Sequence, residues 1–163
     1  MPDEEVRPFG IPELNAEFVF RRRPLPIPGD LRIAWRIGLI TLLMSGCCRS
    51  GRTRLTRLHV LNWGIRTEYS RDALLAAVNN QRHPDSLLVR FEPFLNRAVD
   101  FALGEGLVER SNGAQLQLTE KGWALAAEIE ADESVYIIEK QFIDTVRFRL
   151  TEKLVDQIFG GNA

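Results

Sequence analysis

The sequence is poor in residues that bind metals or carry redox chemistry. Its 163 residues include only two cysteines, Cys47 and Cys48, and two histidines, His59 and His83. Neighbouring cysteines rarely form a disulfide, because the small ring would be strained, so we expect two reduced, partly buried thiols. No CxxC or HxxxH spacing is present, and zinc sites normally draw their ligands from such spacings. We therefore expect no structural metal and no cofactor.

Long apolar runs are also missing. The longest, IGLITLLM at 37–44, is far shorter than the roughly 20 residues that span a bilayer. The first ten residues, MPDEEVRPFG, are acidic and lack the basic and apolar regions of a signal peptide. The expectation is a cytoplasmic protein that does not cross a membrane.

Catalytic signatures are equally scarce. There is no GxxxxGK[ST] phosphate-binding loop, and the Gly-x-Gly at 104–106 follows a predicted helix, whereas a dinucleotide fingerprint precedes one. His59 shares a helical turn with Asn62 and Trp63, and no nucleophile or orienting acid is signalled beside it. We expect His59 to be a hydrogen-bonding structural residue, and the protein not to be an enzyme.

Charge is unevenly distributed along the chain. The net charge is only −1, but residues 1–82 contain 13 arginines and 8 acids, whereas residues 83–163 contain 8 basic and 14 acidic residues. Between Arg21 and Arg66 there are ten arginines and a single acid, Asp30. Arginine binds phosphate and carboxylate bidentately, so this region suits a polyanion or an acidic partner. Alternatively, these arginines pair with the acidic second half of the same chain.

Residues 1–30 are predicted to form an extended arm. Prolines at positions 2, 8, 12, 24, 26 and 28 disfavour a regular helix. The arm is nevertheless apolar, with side chains Phe9, Ile11, Leu14, Phe18, Val19 and Phe20. We therefore expect it to pack on the rest of the chain or on another subunit.

A domain of mainly helical character is predicted over residues 31–132. Asp30 is a plausible cap for a helix over Leu31–Ser45. The loop CCRSGRT then leads into a second helix, over about Arg54–Thr67, and a short third helix is predicted to begin near Ser70, which is a plausible cap. The tryptophans of these and later helices are expected in the core.

Two alternating runs in the second half predict a hairpin. Leu87–Phe91 first has the composition of a strand, and a helix over Phe94–Glu105 follows it. Gly106 permits a sharp exit from that helix. Asn112-Gly113 then separates the two runs, which is a strong hairpin signal because both central residues must accept positive φ.

The return from the hairpin is also specific. Thr119 can cap a helix from Glu120 to about Ala131, Leu107 and Leu118 can point inward, and Gly122 would let the helix approach the sheet closely. Helix, "L-V", hairpin and "L-T-x-x-G" together resemble the wing of prokaryotic winged-helix proteins. Winged helices serve both as DNA readers and as protein docking modules, so this resemblance implies the fold rather than the function.

The C-terminal region, 133–163, is predicted to serve association. Ser134–Phe159 should form one long helix or two, and apolar side chains recur there every four residues. This is more apolar surface than a terminal helix usually needs for one side. The candidates for a partner interface are Ile138, Phe142, Val146, Leu150, Leu154 and Ile158. The predicted fold is therefore α+β, mainly α, with a winged-helix core, an N-terminal arm and a long C-terminal helix.

A broader resemblance covers roughly Arg32 to Ile129. The arginine-rich approach, "L-H-V-L-N-W-G-I-R" at 58–66, "L-V-R-F-E-P" and the wing together resemble the winged-helix middle components of bacterial ABC-three-component systems. Those proteins are encoded with an SMC- or Rad50-like ATPase, in operons associated with defence against phages and plasmids. The resemblance implies a non-catalytic subunit that bridges the ATPase and an effector.

Contact with DNA is expected only through the earlier arginines. The helix in the recognition position carries Asp100 and Glu105 beside a single Arg97, and acidic side chains repel phosphate. Contact with the DNA backbone would instead use four arginines, which could bind phosphates without reading sequence. These candidates are Arg49, Arg52, Arg54 and Arg57. Two alternatives stay open: a free-standing dimeric winged-helix transcription regulator, and a helper subunit with no nucleic-acid role.

Overall fold

The structure is a computed structural model and describes residues 32–160. The predicted arm and the proposed cap at Asp30 lie outside these residues. Seven helices and three strands are present in the described part. They are α1 (Ile33–Cys47), β1 (Arg52–Arg54), α2 (Leu55–Arg66), α3 (Glu68–Val78), α4 (Pro93–Gly104), β2 (Val108–Ser111), β3 (Gln115–Leu118), α5 (Glu120–Ala131), α6 (Ile137–Val146) and α7 (Glu152–Ile158). The chain is thus mainly α with a small antiparallel sheet, as predicted.

Helix α1 lies at the centre of the fold. It packs against α4, α5 and α6, and every side chain from Leu39 to Met44 is buried. A helix that is apolar on all sides requires neighbours on all sides, which explains the IGLITLLM run in a chain of ordinary composition. None of the helices between residues 32 and 160 has the length and apolar character needed to cross a membrane.

The sheet has three antiparallel strands in the order β1-β3-β2. Strand β1 was not predicted, because Arg52 and Thr53 were assigned to the loop and Arg54 to the start of the second helix. It pairs with β3 through Thr53 opposite Leu116, and the Thr53 side chain is buried. The partner strand lies more than 60 residues further along the chain, so no local pattern marks this pairing.

The hairpin expected around Asn112-Gly113 is present, but its turn differs from the prediction. Ser111 pairs with Gln115, so the loop has three residues rather than two. Gly113 has a φ of 73°, and no positive φ occurs at Asn112. The prediction that Asn112 and Gly113 both have positive φ is therefore wrong, although the two strands on either side of the turn are confirmed.

Both glycine predictions around the hairpin are confirmed. Gly106 ends the α4 region with a φ of 67°, the left-handed conformation that glycine adopts without strain. Thr119 accepts a hydrogen bond from the backbone N–H of Gly122 at 3.1 Å and so caps α5. A Cβ at Gly122 would lie far inside contact distance of the Leu107 carbonyl oxygen and 2.9 Å from a methyl group of Leu118. Leu107 and Leu118 are both buried, as expected.

The cap of α3 lies three residues earlier than predicted. Thr67 is the N-cap, and its hydroxyl accepts a hydrogen bond from the backbone N–H of Ser70 at 3.1 Å. The Ser70 hydroxyl in turn accepts one from the backbone N–H of Thr67 at 3.2 Å. This is a reciprocal capping box in which serine takes the place of the usual glutamate or glutamine.

Leu87–Phe91 is not a strand of the sheet, contrary to the prediction. The stretch enters and leaves in extended conformation, with φ/ψ of −86°/118° at Leu87 and −106°/116° at Glu92. No strand within residues 32–160 lies beside it to form a ladder. Its composition suits a strand, but strand assignment also requires a hydrogen-bonding neighbour.

The predicted long C-terminal helix is broken into α6 and α7. Arg147 adopts a φ of 40° after α6, a 3-10 turn follows, and Thr151 accepts a hydrogen bond from the Leu154 N–H to start α7. The break directs Leu150 into the core, where it is fully buried. Because the broken chain folds back, side chains of α6 and α7 join the same core as those of α1.

The tryptophans are less buried than expected. Trp35 and Trp63 lie at the edge of the core and are half-buried. Trp123 is 40% exposed, although its ring also covers Gly51. The prediction that all three belong to the core is therefore wrong for Trp123.

Candidate functional site

The four arginines proposed to contact nucleic acid lie on and around β1. Arg49 begins a 3-10 turn, Arg52 and Arg54 are the ends of β1, and Arg57 is in the first turn of α2. Gly51 has a φ of 64°, and a Cβ there would meet Trp123 and Leu118 within about 3 Å. A glycine is therefore required for this basic loop to lie against the sheet.

Arg54 is bound to two carboxylates of α7. Its Nε donates to Glu152 Oε2 at 2.5 Å and its Nη2 donates to Asp156 Oδ1 at 2.8 Å. The hydrogen bond to Asp156 and then that to Glu152 raise the pKa of Arg54. The Arg54 guanidinium thus pairs with two carboxylates of its own chain. These contacts hold α7 beside the start of α2.

Arg57 is buried beneath the same contact. Its Nη2 donates to the Cys47 carbonyl oxygen at 2.7 Å, and its Nη1 lies 3.5 Å from Glu152 Oε1. A buried side chain cannot reach a phosphate at the surface. The prediction that Arg57 contacts the backbone of DNA is therefore wrong in this structure.

Arg49 and Arg52 remain exposed. Arg52 Nη2 donates to Gln117 Oε1 at 2.9 Å across the sheet, which orients the side chain and leaves its charge unneutralised. Arg49 has no side-chain hydrogen bond or ion pair within residues 32–160. Of the four predicted arginines, only Arg49 and Arg52 are thus exposed without a carboxylate partner among residues 32–160.

A second network connects α1, α2 and the start of α4 through Glu92. Arg36 Nη2 donates to Glu92 Oε1 at 2.6 Å, and the Arg36 side chain is only 2% exposed. Asn62 Nδ2 donates to Glu92 Oε2 at 2.7 Å, and Arg66 lies 3.7 Å from the same oxygen. Burial opposes ionisation of Glu92, but these hydrogen bonds and positive charges outweigh it and lower its pKa. Glu92 is therefore a charged junction between three helices.

His59 belongs to this network through its two ring nitrogens. Its Nδ1 accepts a hydrogen bond from the Glu92 backbone N–H at 3.2 Å, so Nε2 carries the proton and donates to Asn96 Oδ1 at 2.9 Å. Burial lowers the pKa of His59 despite the opposing effects of Asn96 and Glu92. The prediction of a structural hydrogen-bonding histidine is confirmed.

The arginines of the first half therefore pair with acids of the second half. Arg36 and Arg66 meet Glu92, and Arg54 and Arg57 meet Glu152. This is the alternative that composition alone left open. Much of the local basic charge counted along the sequence is neutralised within the fold.

The adjacent cysteines are free and fully buried. Burial, followed by the neighbouring Cys48, raises the pKa of Cys47 to about 12. Burial also raises the pKa of Cys48. Both thiols are thus protonated at neutral pH, more deeply buried than predicted, and shielded from reagents. Within the described residues, no three His, Cys, Asp or Glu side chains are grouped so as to hold a metal.

The six residues proposed for a partner interface are mostly inside the chain. Four of them are buried in the core, which corrects the expectation that they form an outer stripe: Phe142, Val146, Leu150 and Ile158. Leu154 is half-buried. Only Ile138 is accessible, with 53% of its surface exposed. Part of the apolar surface at the C-terminus therefore covers α1, whereas Ile137 and Phe148 stay exposed together with Ile138.

An exposed apolar face on α4 was not predicted. Phe94 is 46% exposed and Phe101 is 53% exposed, and a separation of seven residues places them on one side of the helix. Arg97 and Asp100 are exposed beside them. The signal was in the sequence, since both phenylalanines lie off the stripe of Leu95, Ala98, Val99 and Ala102 that faces the core.

A cavity of about 480 Å³ opens beside the first turn of α1. Trp35 and Arg36 form one side, and Arg66 and Glu139 contribute opposite charges to the rest of the wall. The Arg36 charge is already satisfied by Glu92. The lining therefore favours neither an anion nor a cation.

Comparison with known proteins gives no relative. No protein-family model, no curated protein and no solved structure matches this chain.

Proposed function

We propose that this chain is a non-catalytic winged-helix adaptor that works in the cytoplasm by binding protein partners and does not read DNA sequence. The observation that carries the proposal is the internal pairing of its arginines. Two of the four predicted contact residues, Arg54 and Arg57, bind Glu152, so a DNA backbone would have to displace carboxylates that are already in place.

The winged-helix part of the proposal is supported by the order α4-β2-β3-α5. The hairpin follows α4 directly through Gly106, and Thr119 returns the chain into α5. Strand β1 pairs with β3 and so anchors the hairpin to the helices. A hairpin held in this way is a rigid projection rather than a free two-stranded ribbon.

The preference for protein partners is supported by α4. In a winged helix this helix would occupy the recognition position, yet its outer face carries two exposed phenylalanines together with Asp100. Exposed aromatic side chains are enriched at protein interfaces, whereas acidic groups repel the phosphates of DNA. We propose the face around Phe94 and Phe101 as the docking surface.

The identity of the partner rests on the sequence resemblance alone. It suggests a bacterial complex with an SMC- or Rad50-like ATPase and an effector, in defence against phages or plasmids. The chain would bridge the two, and Arg49 and Arg52 would add a weak contact with the DNA backbone.

The test is co-purification with an SMC-like ATPase encoded beside this chain. Phe94→Ser combined with Phe101→Ser should abolish co-purification, because truncation of central aromatic residues removes much of the binding free energy of an interface. The control is Tyr69→Ser, which removes a more exposed aromatic ring from α3, outside the proposed face. Retention of the ATPase by the double variant would exclude this face as the docking surface.

The alternative is a free-standing dimeric winged-helix regulator. The exposed charges of Arg49 and Arg52 favour it, because they could bind DNA phosphates. Fluorescence anisotropy with the chain's own promoter distinguishes the two. We expect only non-specific binding, with a Kd of roughly 10⁻⁴–10⁻⁶ M at physiological salt, weakened by Arg49→Ala and Arg52→Ala. Tight binding to a site with two half-sites at a fixed spacing would instead establish the regulator.

A further inference from the structure

A cavity of about 280 Å³ lies where the end of α2 meets the start of α3. Trp63 and Tyr69 contribute aromatic side chains to its wall, and the stretch that follows α3 contributes Leu87. Leu87 is buried and Trp63 is half-buried, so the core holds this part of the wall in place. Sites for small molecules usually measure roughly 300–1,000 Å³, and the cavity therefore suits a ligand at the small end of that class.

The outer part of the cavity is apolar. Leu88 is 81% exposed and Tyr69 is 67% exposed, the two highest values for a large apolar side chain within residues 32–160. Both of these side chains line the cavity. Exposed apolar side chains gathered at one concave place are typical of ligand-binding grooves. We therefore expect the body of a ligand to be apolar.

Arg82 brings an unneutralised charge to this lining. Its Nε donates to Ser86 Oγ at 3.0 Å and its Nη2 donates to the Tyr69 hydroxyl at 3.3 Å. Both acceptors are neutral, so they orient the guanidinium without removing its charge. Asp85, on the same turn, contacts His83 instead. Arg82 has no ion pair with any residue between 32 and 160.

Arg66 adds a second positive charge from the end of α2. Its Nη1 lies 3.7 Å from Glu92 Oε2, but that carboxylate also binds Arg36 at 2.6 Å. One carboxylate cannot neutralise two guanidinium groups, so a net positive charge remains beside the cavity. None of the described residues that line it is Asp or Glu. The polar part of a ligand is therefore expected to be an anion, because guanidinium groups bind carboxylates and phosphates.

We propose that the cavity binds a small monocarboxylate with an aromatic or branched apolar body, close in size to one amino-acid residue. The Nη1 group of Arg82 forms no hydrogen bond within residues 32–160, and the Tyr69 hydroxyl still has its own proton to donate. These donors suit the two oxygens of a carboxylate. A phosphate ester would bring a second negative charge towards the Glu92 carboxylate.

This ligand site is separate from the proposed docking surface. Neither Phe94 nor Phe101 lines the cavity. The chain would therefore bind a small molecule and a protein partner at different places. Failure of either proposal leaves the other standing.

Titration of the full chain with N-acetyl-L-phenylalanine, followed by ¹H–¹⁵N NMR, tests the proposal. We expect saturable shifts of amides between residues 66 and 70 and between residues 82 and 88, with a Kd of about 1 mM or below. N-acetyl-L-phenylalaninamide has the same body without the charge. It should bind at least about 10-fold more weakly, because it lacks the charge-assisted hydrogen bonds.

Two variants separate the charge from the apolar lining. Arg82→Gln should reduce the affinity for the acid to that for the amide and leave the affinity for the amide unchanged. Leu88→Ser should weaken the binding of both. The matched control is Arg90→Gln, which replaces an exposed arginine outside the lining and should bind the acid as the unaltered chain does. Unchanged amide shifts between Leu39 and Met44 verify that each variant is folded.

Several results would overturn the proposal. The acid produces no saturable shift at these amides, or the acid and the amide bind equally tightly. Arg82→Gln binds the acid as well as Arg90→Gln does. Phenyl phosphate binds more tightly than the acid, which would assign the cavity to phosphate esters. A peptide that ends in phenylalanine binds while the free acid does not, which would assign it to the end of a protein chain.

Discussion

Neutralising Glu92 should be the most damaging conservative change in this fold. Glu92→Gln keeps the size of the side chain but removes the charge that balances Arg36, whose side chain is 2% exposed. It also places an amide N–H₂ among donors, because Arg36 and Asn62 both donate to the present carboxylate. Breaking one side of a buried ion pair costs roughly 3–5 kcal/mol, and we expect about 3 kcal/mol, since one oxygen acceptor is retained.

The free energy of unfolding should be measured by urea denaturation followed by circular dichroism. For a chain of this length, about 3 kcal/mol corresponds to a fall in Tm of roughly 6–12 °C. Glu109→Gln is the matched control, because Glu109 is exposed on β2 and its replacement should stay within about 0.5 kcal/mol. The double variant with Arg36→Met should recover part of the loss, which a double-mutant cycle would report as coupling.

The pH dependence of the free energy of unfolding in acid is a second measurement of the role of the Glu92 carboxylate. The pKa of Glu92 is lowered below its ordinary value of 4.5, so the unfolded chain takes up a proton before the folded chain does. Its stabilising contribution is therefore present above about pH 4.5 and is lost as pH falls through the folded pKa. Glu92→Gln should flatten this dependence. A loss below about 1 kcal/mol together with an unchanged acid slope would refute the network's role.

Three further predictions follow from packing and burial. Gly122→Ala should cost about 1–3 kcal/mol by overpacking, whereas Gly104→Ala, where a Cβ meets nothing within 4 Å, should be neutral or slightly stabilising; equal effects in thermal unfolding would contradict the close approach. Leu150→Ala should cost about 2–5 kcal/mol and Ile138→Ala less than about 0.5 kcal/mol; equally small losses for both in urea denaturation would contradict the burial of Leu150. The Cys47 thiol should resist alkylation at pH 8 until unfolding, and its contribution to stability should be present below the ordinary pKa of 9 and lost as pH rises towards about 12; labelling of the native chain as fast as a free thiol would be inconsistent with its burial.

Features whose partners lie nearby in the chain could be predicted. Gly106, Thr119 and Gly122 each act on residues within about 15 positions, so the sequence contains both sides of each contact. Helices α1 to α5 followed from the same local information, and their ends were correct to within a few residues. The error at the cap of α3 is of this kind, because Thr67 and Ser70 are both good caps and only the geometry distinguishes them.

Features that depend on distant partners could not be predicted. Strand β1 is a strand only because β3 lies beside it and pairs with it. Leu87–Phe91 is not a strand of the sheet, because no strand within residues 32–160 lies beside it. The spacing of Leu150 predicts that it continues the apolar stripe of a helix. The 3-10 turn before it instead directs its side chain into the core. The exposure of Trp123 likewise depends on how much of its ring the neighbouring elements cover, which periodicity does not determine.

The basic region illustrates why charge along a sequence has two possible meanings. Arg54 and Glu152 are 98 residues apart, so a window centred on Arg54 contains only basic charge, and the acids that neutralise it lie outside that window. The same asymmetry would arise in a protein that binds DNA and in one that neutralises itself on folding. Here Glu152 and Asp156 of α7 form ion pairs with Arg54, and Glu152 also lies beside Arg57. These contacts hold α7 against the start of α2. Of the four arginines proposed to contact DNA, only Arg49 and Arg52 are left outside this contact, and their replacement should not affect stability.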